Sequence, residues 1–121
     1  MILWSYKCCL ICVRYLVNFT EKPQFLYLTK MKSIKSTYVE GDKFTLICEA
    51  KGVPAPVVTW FKNNQIFSGR HRAGEFIATG EYDYRINFPG VDIADAGNYT
   101  CFVSNVYGRL TYSYNFNVTG K

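Results

Sequence analysis

Apolar residues recur at every second position in several short runs of this chain. The runs are DKFTLICEA, YDYRINF, GNYTCFVSN and YSYNFNV, which start at residues 42, 82, 97 and 112. A period of two predicts β-strands that bury one face. Residues typical of turns (Gly, Pro, Asn and Asp) separate the runs. No stretch has the i, i+3, i+4, i+7 spacing of an amphipathic helix, so the pattern predicts an all-β sandwich or barrel.

The length and composition fit one domain with a sizeable core. The chain has 121 residues, of which 49% are hydrophobic and 17% aromatic. A core of this size can bury most of its apolar surface, and aromatic residues favour half-buried strands. We predict that the domain spans residues 23–119, that residues 120–121 form a tail, and that residues 1–22 lie outside the domain.

The first 22 residues form a largely apolar segment, MILWSYKCCLICVRYLVNFTEK. Lys7 and Arg14 interrupt it, so it is too short for a membrane span of about 20 apolar residues and is a poor signal peptide. An artefactual extension on a fragment is the alternative. A tetrahedral zinc site needs four ligands, and Cys8, Cys9 and Cys12 have a single histidine in the whole chain to join them. We therefore expect no metal site.

Three residues in the alternating runs have a characteristic spacing. Trp60 follows Cys48 by twelve residues, and Cys101 follows Cys48 by 53. This spacing resembles the Cys…Trp…Cys pattern of the immunoglobulin sandwich. The resemblance implies two antiparallel sheets with Greek-key connections, a disulfide between Cys48 and Cys101, and Trp60 packed against it. Two reduced core thiols, as in cytosolic members of the fold, are the alternative.

The run DAGNYTC contains the residues of a tyrosine corner. The resemblance implies that the Tyr99 hydroxyl returns to the backbone a few residues upstream. Gly97 allows a tight turn before the strand. Asp95 is placed to accept a charge-assisted hydrogen bond, and Arg72 is the partner that we expect. These roles are structural, and none of them identifies a ligand.

Three Asn-x-Ser/Thr triplets, at Asn18, Asn98 and Asn117, are candidate N-glycosylation sites. Together with the cysteine pair they favour an oxidising, extracellular setting. The chain would then be secreted, or be part of the ectodomain of a single-pass membrane protein. We expect contact with a membrane only through parts of a parent chain beyond this sequence.

The net charge of +5 is concentrated toward the amino terminus. Residues 1–43 contain seven basic and three acidic residues, a surplus of four. A basic region of this kind is typical of a surface that meets an anionic partner. A lysine cluster that is only solvated is the alternative.

Longer stretches resemble the intermediate (I) set of immunoglobulin domains: DKFTLICEAKGVPAPVVTWFKNN and DIADAGNYTCFVSNVYG. Within that set, PQFLYLTKMKSIKSTYVEGDKFTLIC and FSGRHRAGEF resemble the second immunoglobulin domain of fibroblast growth factor receptors, with Pro23, Lys30, Met31 and Cys48 at that family's spacing. The likeness covers residues 23–119. It implies an extracellular module that binds a growth factor, with heparan sulfate as a co-ligand.

The resemblance also implies which residues bind the polysaccharide. Lys30 matches a basic position of the receptor family, Lys32 and Lys35 add charge nearby, and Lys43 lies one residue from another basic position. We expect heparan sulfate to bind at these lysines, because fixed sulfates attract ammonium groups in a salt-dependent way. Residues that the family uses for heparan sulfate or growth-factor contact are replaced at several positions: Ser33, Thr37, Val39, Asp42, Thr45 and Ile47.

We expect no catalytic residues and no cofactor. His71 is the lone imidazole, which excludes a multi-histidine metal site, and no Gly-rich phosphate loop is present. The triplets and the cysteine pair argue against nucleic acid as the partner of the positive charge. The alternative function is an adhesion or structural immunoglobulin module that makes protein contacts, including self-association. Tyr112 and Tyr114 are candidate interface aromatics, although the alternation of the last run predicts that they face the core.

Overall fold

The structure is a computed structural model that describes residues 20–68, 70–72, 75–79 and 84–121, of which 70–72 and 75–79 are described by their backbone only. Most of these residues lie in strands, with one short helix and one 3₁₀ turn at Ile93–Asp95. The elements are β1 (Glu21–Phe25), α1 (Leu28–Lys32), β2 (Thr37–Val39), β3 (Phe44–Ile47), β4 (Ala50–Val53), β5 (Val57–Lys62), β6 (Gln65–Ile66), β7 (Arg70–Arg72), β8 (Glu75–Thr79), β9 (Arg85–Phe88), β10 (Gly97–Asn105) and β11 (Gly108–Thr119).

The strands form two main sheets and one small pair. One sheet has the order β2-β11-β10-β5-β6, the other has the order β3-β9-β8-β7, and β1 pairs with β4. Strands that are neighbours in a sheet are often distant in sequence, as Greek-key connections require. All pairs are antiparallel except β2 with β11, which run parallel at residues 117–119. This arrangement confirms the predicted all-β, immunoglobulin-like sandwich of two sheets.

Aromatic rings fill the space between the sheets. Tyr99 and Phe116 stack with centroids 5.3 Å apart, and Tyr38 and Phe44 stack at 3.8 Å. Phe88 meets Tyr99 edge to face at 5.7 Å. Edge-to-face and offset contacts between rings stabilise a core beyond the area that they bury. The predicted alternation is therefore confirmed where both sheets meet, and the last strand does direct its aromatic side at the core.

The first predicted strand is interrupted because the chain changes partners at Cys48. The Cys48 N–H donates to the Tyr84 carbonyl oxygen at 2.8 Å, which continues the pairing of β3 with β9. One residue later, the Glu49 carbonyl oxygen accepts from the Leu26 N–H at 2.8 Å, and β4 pairs with β1 instead. Alternation along the sequence cannot reveal such a change, because the side-chain period is two in either pairing.

Helix α1 is an element that the hydrophobic pattern did not predict. It has five residues, little more than one turn, so no helical periodicity can develop within it. Met31 is its buried residue, at 1% exposure, while Lys30 and Lys32 on either side are exposed. Burial of Met31 against the core holds the lysines at the surface.

Candidate binding surfaces

The two core cysteines are joined. Cys48 lies just after β3 and Cys101 lies on β10, and their sulfur atoms are 2.04 Å apart with Cα atoms 6.3 Å apart. This confirms the expected disulfide between the sheets. Trp60 on β5 lies directly opposite Cys101 in the strand register and is 2% exposed. The Trp60 Nε1 has no hydrogen-bond partner among the described residues, so the indole stabilises the core through packing.

The turn before β10 is held by the side chain of Tyr99. Its hydroxyl donates to the Asp95 carbonyl oxygen at 2.6 Å, four residues upstream. Asp95 is fully buried, and its Oδ2 accepts from the Asp92 N–H at 2.9 Å. The side chain of Arg72 lies outside the described residues, so the ion pair between Arg72 and Asp95 stays a prediction.

Gly97 occupies a position at which a larger residue would be strained. Its φ is +151°, and a Cβ would lie 3.0 Å from the Asn63 Oδ1 atom. That oxygen accepts from the Asn98 N–H, also at 3.0 Å. The approach of the β5–β6 turn to β10 therefore explains the glycine.

Tyr114 links the two sheets at a point that the sequence did not indicate. The Tyr114 hydroxyl on β11 donates to the Ile47 carbonyl oxygen on β3, at 2.5 Å. Burial raises the pKa of the Tyr114 hydroxyl well above its ordinary value of 10.0. Tyr114 is therefore a structural residue rather than an interface residue.

We expect Tyr114 to make the domain sensitive to alkali. The unfolded chain releases the phenolic proton near pH 10, whereas the folded chain retains it, so the free energy of unfolding falls as pH rises above about 10. The Tyr114→Phe variant should lose about 1 kcal/mol at neutral pH, from the missing hydrogen bond, and should show a smaller fall in alkali. Urea unfolding at about pH 8 and about pH 11 measures both effects.

The exposed Tyr107 is the matched control for this test. Tyr107→Phe should leave the alkaline fall of the wild type unchanged. If Tyr114→Phe and wild type lost the same free energy of unfolding between the two pH values, the assignment to Tyr114 would be wrong.

Three of the four predicted heparan sulfate lysines lie in or just after α1. Lys30 and Lys32 flank Met31 on the helix and project to either side of its buried direction, since successive residues are 100° apart. The Lys30 Nζ lies 5.7 Å from the Tyr27 ring centroid. Lys35 follows, with its Nζ 4.8 Å over the Tyr38 ring. These lysines are exposed, and all three belong to the segment that leads into β2.

Lys43, the fourth predicted lysine, is also exposed. It precedes β3 and is separated from the other three by the turn that contains Asp42. The Asp42 Oδ2 accepts from the Val39 N–H at 2.9 Å, and the Asp42 carbonyl oxygen accepts from the Val91 N–H at 2.8 Å. This turn puts a carboxylate beside Lys43, which weakens the positive potential there.

Two of the three candidate glycosylation asparagines can be placed. Asn98 lies near the start of β10 and Asn117 near the end of β11, and both point away from the core because their neighbours Tyr99, Phe116 and Val118 are buried. The backbone of each asparagine is paired, through Asn63 and Ser36 respectively. Asn18 lies outside the described residues, as do Cys8, Cys9 and Cys12.

An asparagine that is not a glycosylation candidate joins three chain segments. The Asn105 Nδ2 atom donates to the Glu21 carbonyl oxygen and to the Pro54 carbonyl oxygen, both at 2.9 Å. Its Oδ1 accepts from the Tyr107 N–H at 2.8 Å. Asn105 therefore fixes the β10–β11 turn, which contains the exposed Val106 and Tyr107, to β1 and to the β4–β5 loop.

Among the described residues, no three His, Cys, Asp or Glu side chains are grouped closely enough to hold a metal ion. The helices in this part of the chain are also too short and too polar to span a bilayer.

The comparisons with known proteins agree with this architecture. The profile of the immunoglobulin domain family matches residues 22–105, and the chain belongs to that family. Cell adhesion molecule DSCAML1 of Homo sapiens is 35% identical over 83 residues, which cover 66% of this chain and 4% of that protein. Fibroblast growth factor receptor 1 of Xenopus laevis is 35% identical over 74 residues, which cover 61% of this chain and 9% of the receptor.

Comparison with solved structures also supports the immunoglobulin fold. Sidekick-1 immunoglobulin domains 1–5 superpose with a TM-score of 0.65 at 28% identity, covering 85% of this chain and 21% of that one. The chain spans less than a tenth of the length of DSCAML1 and of fibroblast growth factor receptor 1. Membership in the immunoglobulin family makes this chain a binding or structural module and not an enzyme.

Proposed function

We propose that this domain is an extracellular recognition module that binds a growth-factor-like protein together with heparan sulfate. The observation that supports it most directly is the exposed basic segment of Lys30, Lys32 and Lys35, held at the surface by the buried Met31. A sulfated polysaccharide offers fixed anions at a spacing that several ammonium groups can meet together.

Apolar surface lies next to this basic segment. Tyr27 is 51% exposed and Leu28 is 39% exposed, at the beginning of α1. Large exposed apolar side chains beside a charged region are typical of protein interaction sites. A protein ligand that covers Tyr27 and Leu28 would lie within reach of a polysaccharide held by the lysines.

The match to fibroblast growth factor receptor 1 supports the same proposal, since that protein is named as a growth factor receptor. An extracellular location is supported by the disulfide, which persists in oxidising compartments, and by the relative named as a cell adhesion molecule. In that location Asn98 and Asn117 would be open to N-glycosylation.

The proposal predicts salt-dependent binding to heparin. At low ionic strength, Lys30→Ala combined with Lys32→Ala should weaken heparin binding about fivefold or more, because two cations are lost from the site. The measurement is the affinity for immobilised heparin across a series of salt concentrations.

The control removes the same charge elsewhere. Lys51 and Lys121 are exposed and lie outside the basic segment, so Lys51→Ala combined with Lys121→Ala should change the affinity much less. Passage of the wild-type domain through heparin at low salt, or an equal effect of the two double variants, would show that α1 is not the polysaccharide site.

An adhesion module is the second candidate function. The observation that favours it is the 35% identity to a protein named as a cell adhesion molecule, over 83 residues. This function requires a surface for protein contact, and it does not require heparan sulfate.

A further inference from the structure

The turn between β10 and β11 carries two large apolar side chains into solvent. Val106 is 79% exposed and Tyr107 is 44% exposed. Val57 on β5 is 66% exposed, and it lies beside the turn because its strand partner on β10 is Ser104, the residue before Asn105. Exposed apolar side chains that are grouped at one place, with an aromatic ring among them, are typical of a site for protein contact.

The turn is held in place from two directions. The Asn105 side chain donates to the Glu21 and Pro54 carbonyl oxygens, which ties the turn to β1 and to the β4–β5 loop. Gly52 on β4 permits this approach, because a Cβ there would lie 3.1 Å from the Asn105 Nδ2 atom. A ligand that binds the turn therefore meets a backbone that is already ordered, so less conformational entropy is lost on binding.

Basic side chains flank the turn. A Cβ added to Gly108 would lie 3.3 Å from the Lys22 Cγ atom, so the Lys22 side chain lies against the turn on one side. Arg109 is exposed on the other side of β11, since successive residues of a strand point to opposite faces. The Lys51 Nζ lies 4.0 Å from the Glu21 Oε2, and the side chain of Lys51 is 55% exposed.

The balance of charge around the turn is positive. We call this region the turn surface, and its residues are Lys22, Lys51, Val57, Val106, Tyr107 and Arg109. Among the described residues of β1, β4, β10, β11 and the two loops that join β4 to β5 and β10 to β11, Glu21 is the single acidic residue. Three cations therefore surround the apolar side chains against one anion, and that anion is already close to Lys51.

We propose that the turn surface binds an acidic protein partner that presents apolar side chains. The argument for this occupant is charge complementarity: the cations attract and orient a negatively charged partner. Val106 and Tyr107 then make the central contact, and tyrosine and arginine are the residue types that contribute most to binding at protein interfaces.

Two other occupants fit the turn surface less well. A second copy of the chain would bring the same three cations together, which costs free energy. A membrane would require a larger apolar face, since interfacial anchors bury a whole helix face or a lipid chain, whereas the turn offers two residues and Val57 beside it.

The inference goes beyond polysaccharide binding and does not depend on it. The basic segment of Lys30, Lys32 and Lys35 shares no residue with the turn surface. Lys30→Ala combined with Lys32→Ala should weaken heparin binding and leave binding at the turn surface unchanged. Failure of one proposal is thus distinguishable from failure of the other.

The test is an NMR titration of the isotopically labelled full chain with a synthetic peptide of about twelve residues, in which Asp and Glu alternate with Leu and Trp. The amide signals of Val106, Tyr107 and Gly108 should shift, with a dissociation constant of about 100 µM because the contact is small. Tyr107→Ser should weaken binding at least about fivefold, since the central ring is lost. Arg109→Ser should weaken it about threefold at low ionic strength, because one cation is lost.

The controls remove the same kinds of side chain elsewhere. Ile66→Ser removes an apolar side chain that is 75% exposed on β6, and Lys121→Ser removes an exposed charge at the last residue. Each should leave the affinity for the peptide within about twofold of the wild type, because neither residue belongs to the contact.

Several results would overturn the proposal. They are shifts confined to α1, wild-type affinity in Tyr107→Ser, equal binding of a peptide with Lys in place of Asp and Glu, or no shift with about 1 mM peptide. Shifts of the turn amides on dilution of the chain alone would assign the turn surface to a second copy. Tyr107-dependent binding to vesicles of phosphatidylserine and phosphatidylcholine would assign it to a membrane, and either result also overturns the proposal.

Discussion

Loss of the Cys48–Cys101 disulfide is expected to lower the free energy of unfolding by about 4 kcal/mol. The bond closes a loop with a sequence separation of 53, and its removal lets the unfolded chain explore many more conformations. Small domains are stable by about 5–15 kcal/mol in total, so this is a large share. Both sulfur atoms are fully buried between the sheets, which adds a loss of packing when they are removed.

The measurement compares urea unfolding of the wild type with a variant that combines Cys48→Ala and Cys101→Ala. The double change is needed because a single one leaves a thiol that can pair with Cys8, Cys9 or Cys12. Wild-type protein under reducing conditions is the control that keeps the sulfur atoms in place, and it should lose most of the same free energy. Agreement of the oxidised wild type and the double variant within about 1 kcal/mol would contradict this account.

Replacement of Phe116 by alanine is expected to destabilise the domain by about 3–5 kcal/mol. Phe116 is 1% exposed on β11, and its ring contacts four aromatic neighbours. They are Tyr38, Phe44, Phe88 and Tyr99, with ring centroids 5.2–5.8 Å away. These neighbours belong to both sheets, so the cavity left by the ring cannot close by moving one strand.

Asn115 provides the matched control, since it precedes Phe116 on the same strand and its side chain is exposed. Asn115→Ala should change stability by less than about 0.5 kcal/mol. Phe116→Leu should fall between the two, because it retains part of the apolar volume. Urea or thermal unfolding measures all three, and a Phe116→Ala cost near that of Asn115→Ala would mean that the aromatic cluster does not hold the sheets together.

Much of the fold follows from local pattern. Alternation located the long strands β10 and β11, because one buried face imposes a period of two wherever a sheet covers a core. The spacing of Cys48, Trp60 and Cys101 indicated the family. In an immunoglobulin sandwich a disulfide joins the two sheets and a tryptophan packs against it. The lysines of α1 could be expected at the surface, since an ammonium group is rarely buried without a partner.

The remaining features depend on contacts between distant residues. No local signal predicts that the chain leaves β9 for β1 at Cys48, that the Tyr114 hydroxyl reaches Ile47, or that the Asn105 amide joins two other segments.

The candidate sites divide in the same way. The sequence by itself indicated the family and the basic segment, because residue types and their spacing along one chain carry these signals. The disulfide was implied by the resemblance, and the structure showed it. Only the tertiary structure brought Thr111, Phe102 and Thr59 into one row, since hydrogen bonding between strands decides which residues become neighbours. A row of side chains that crosses three strands is a property of the whole sheet, and no single strand shows it.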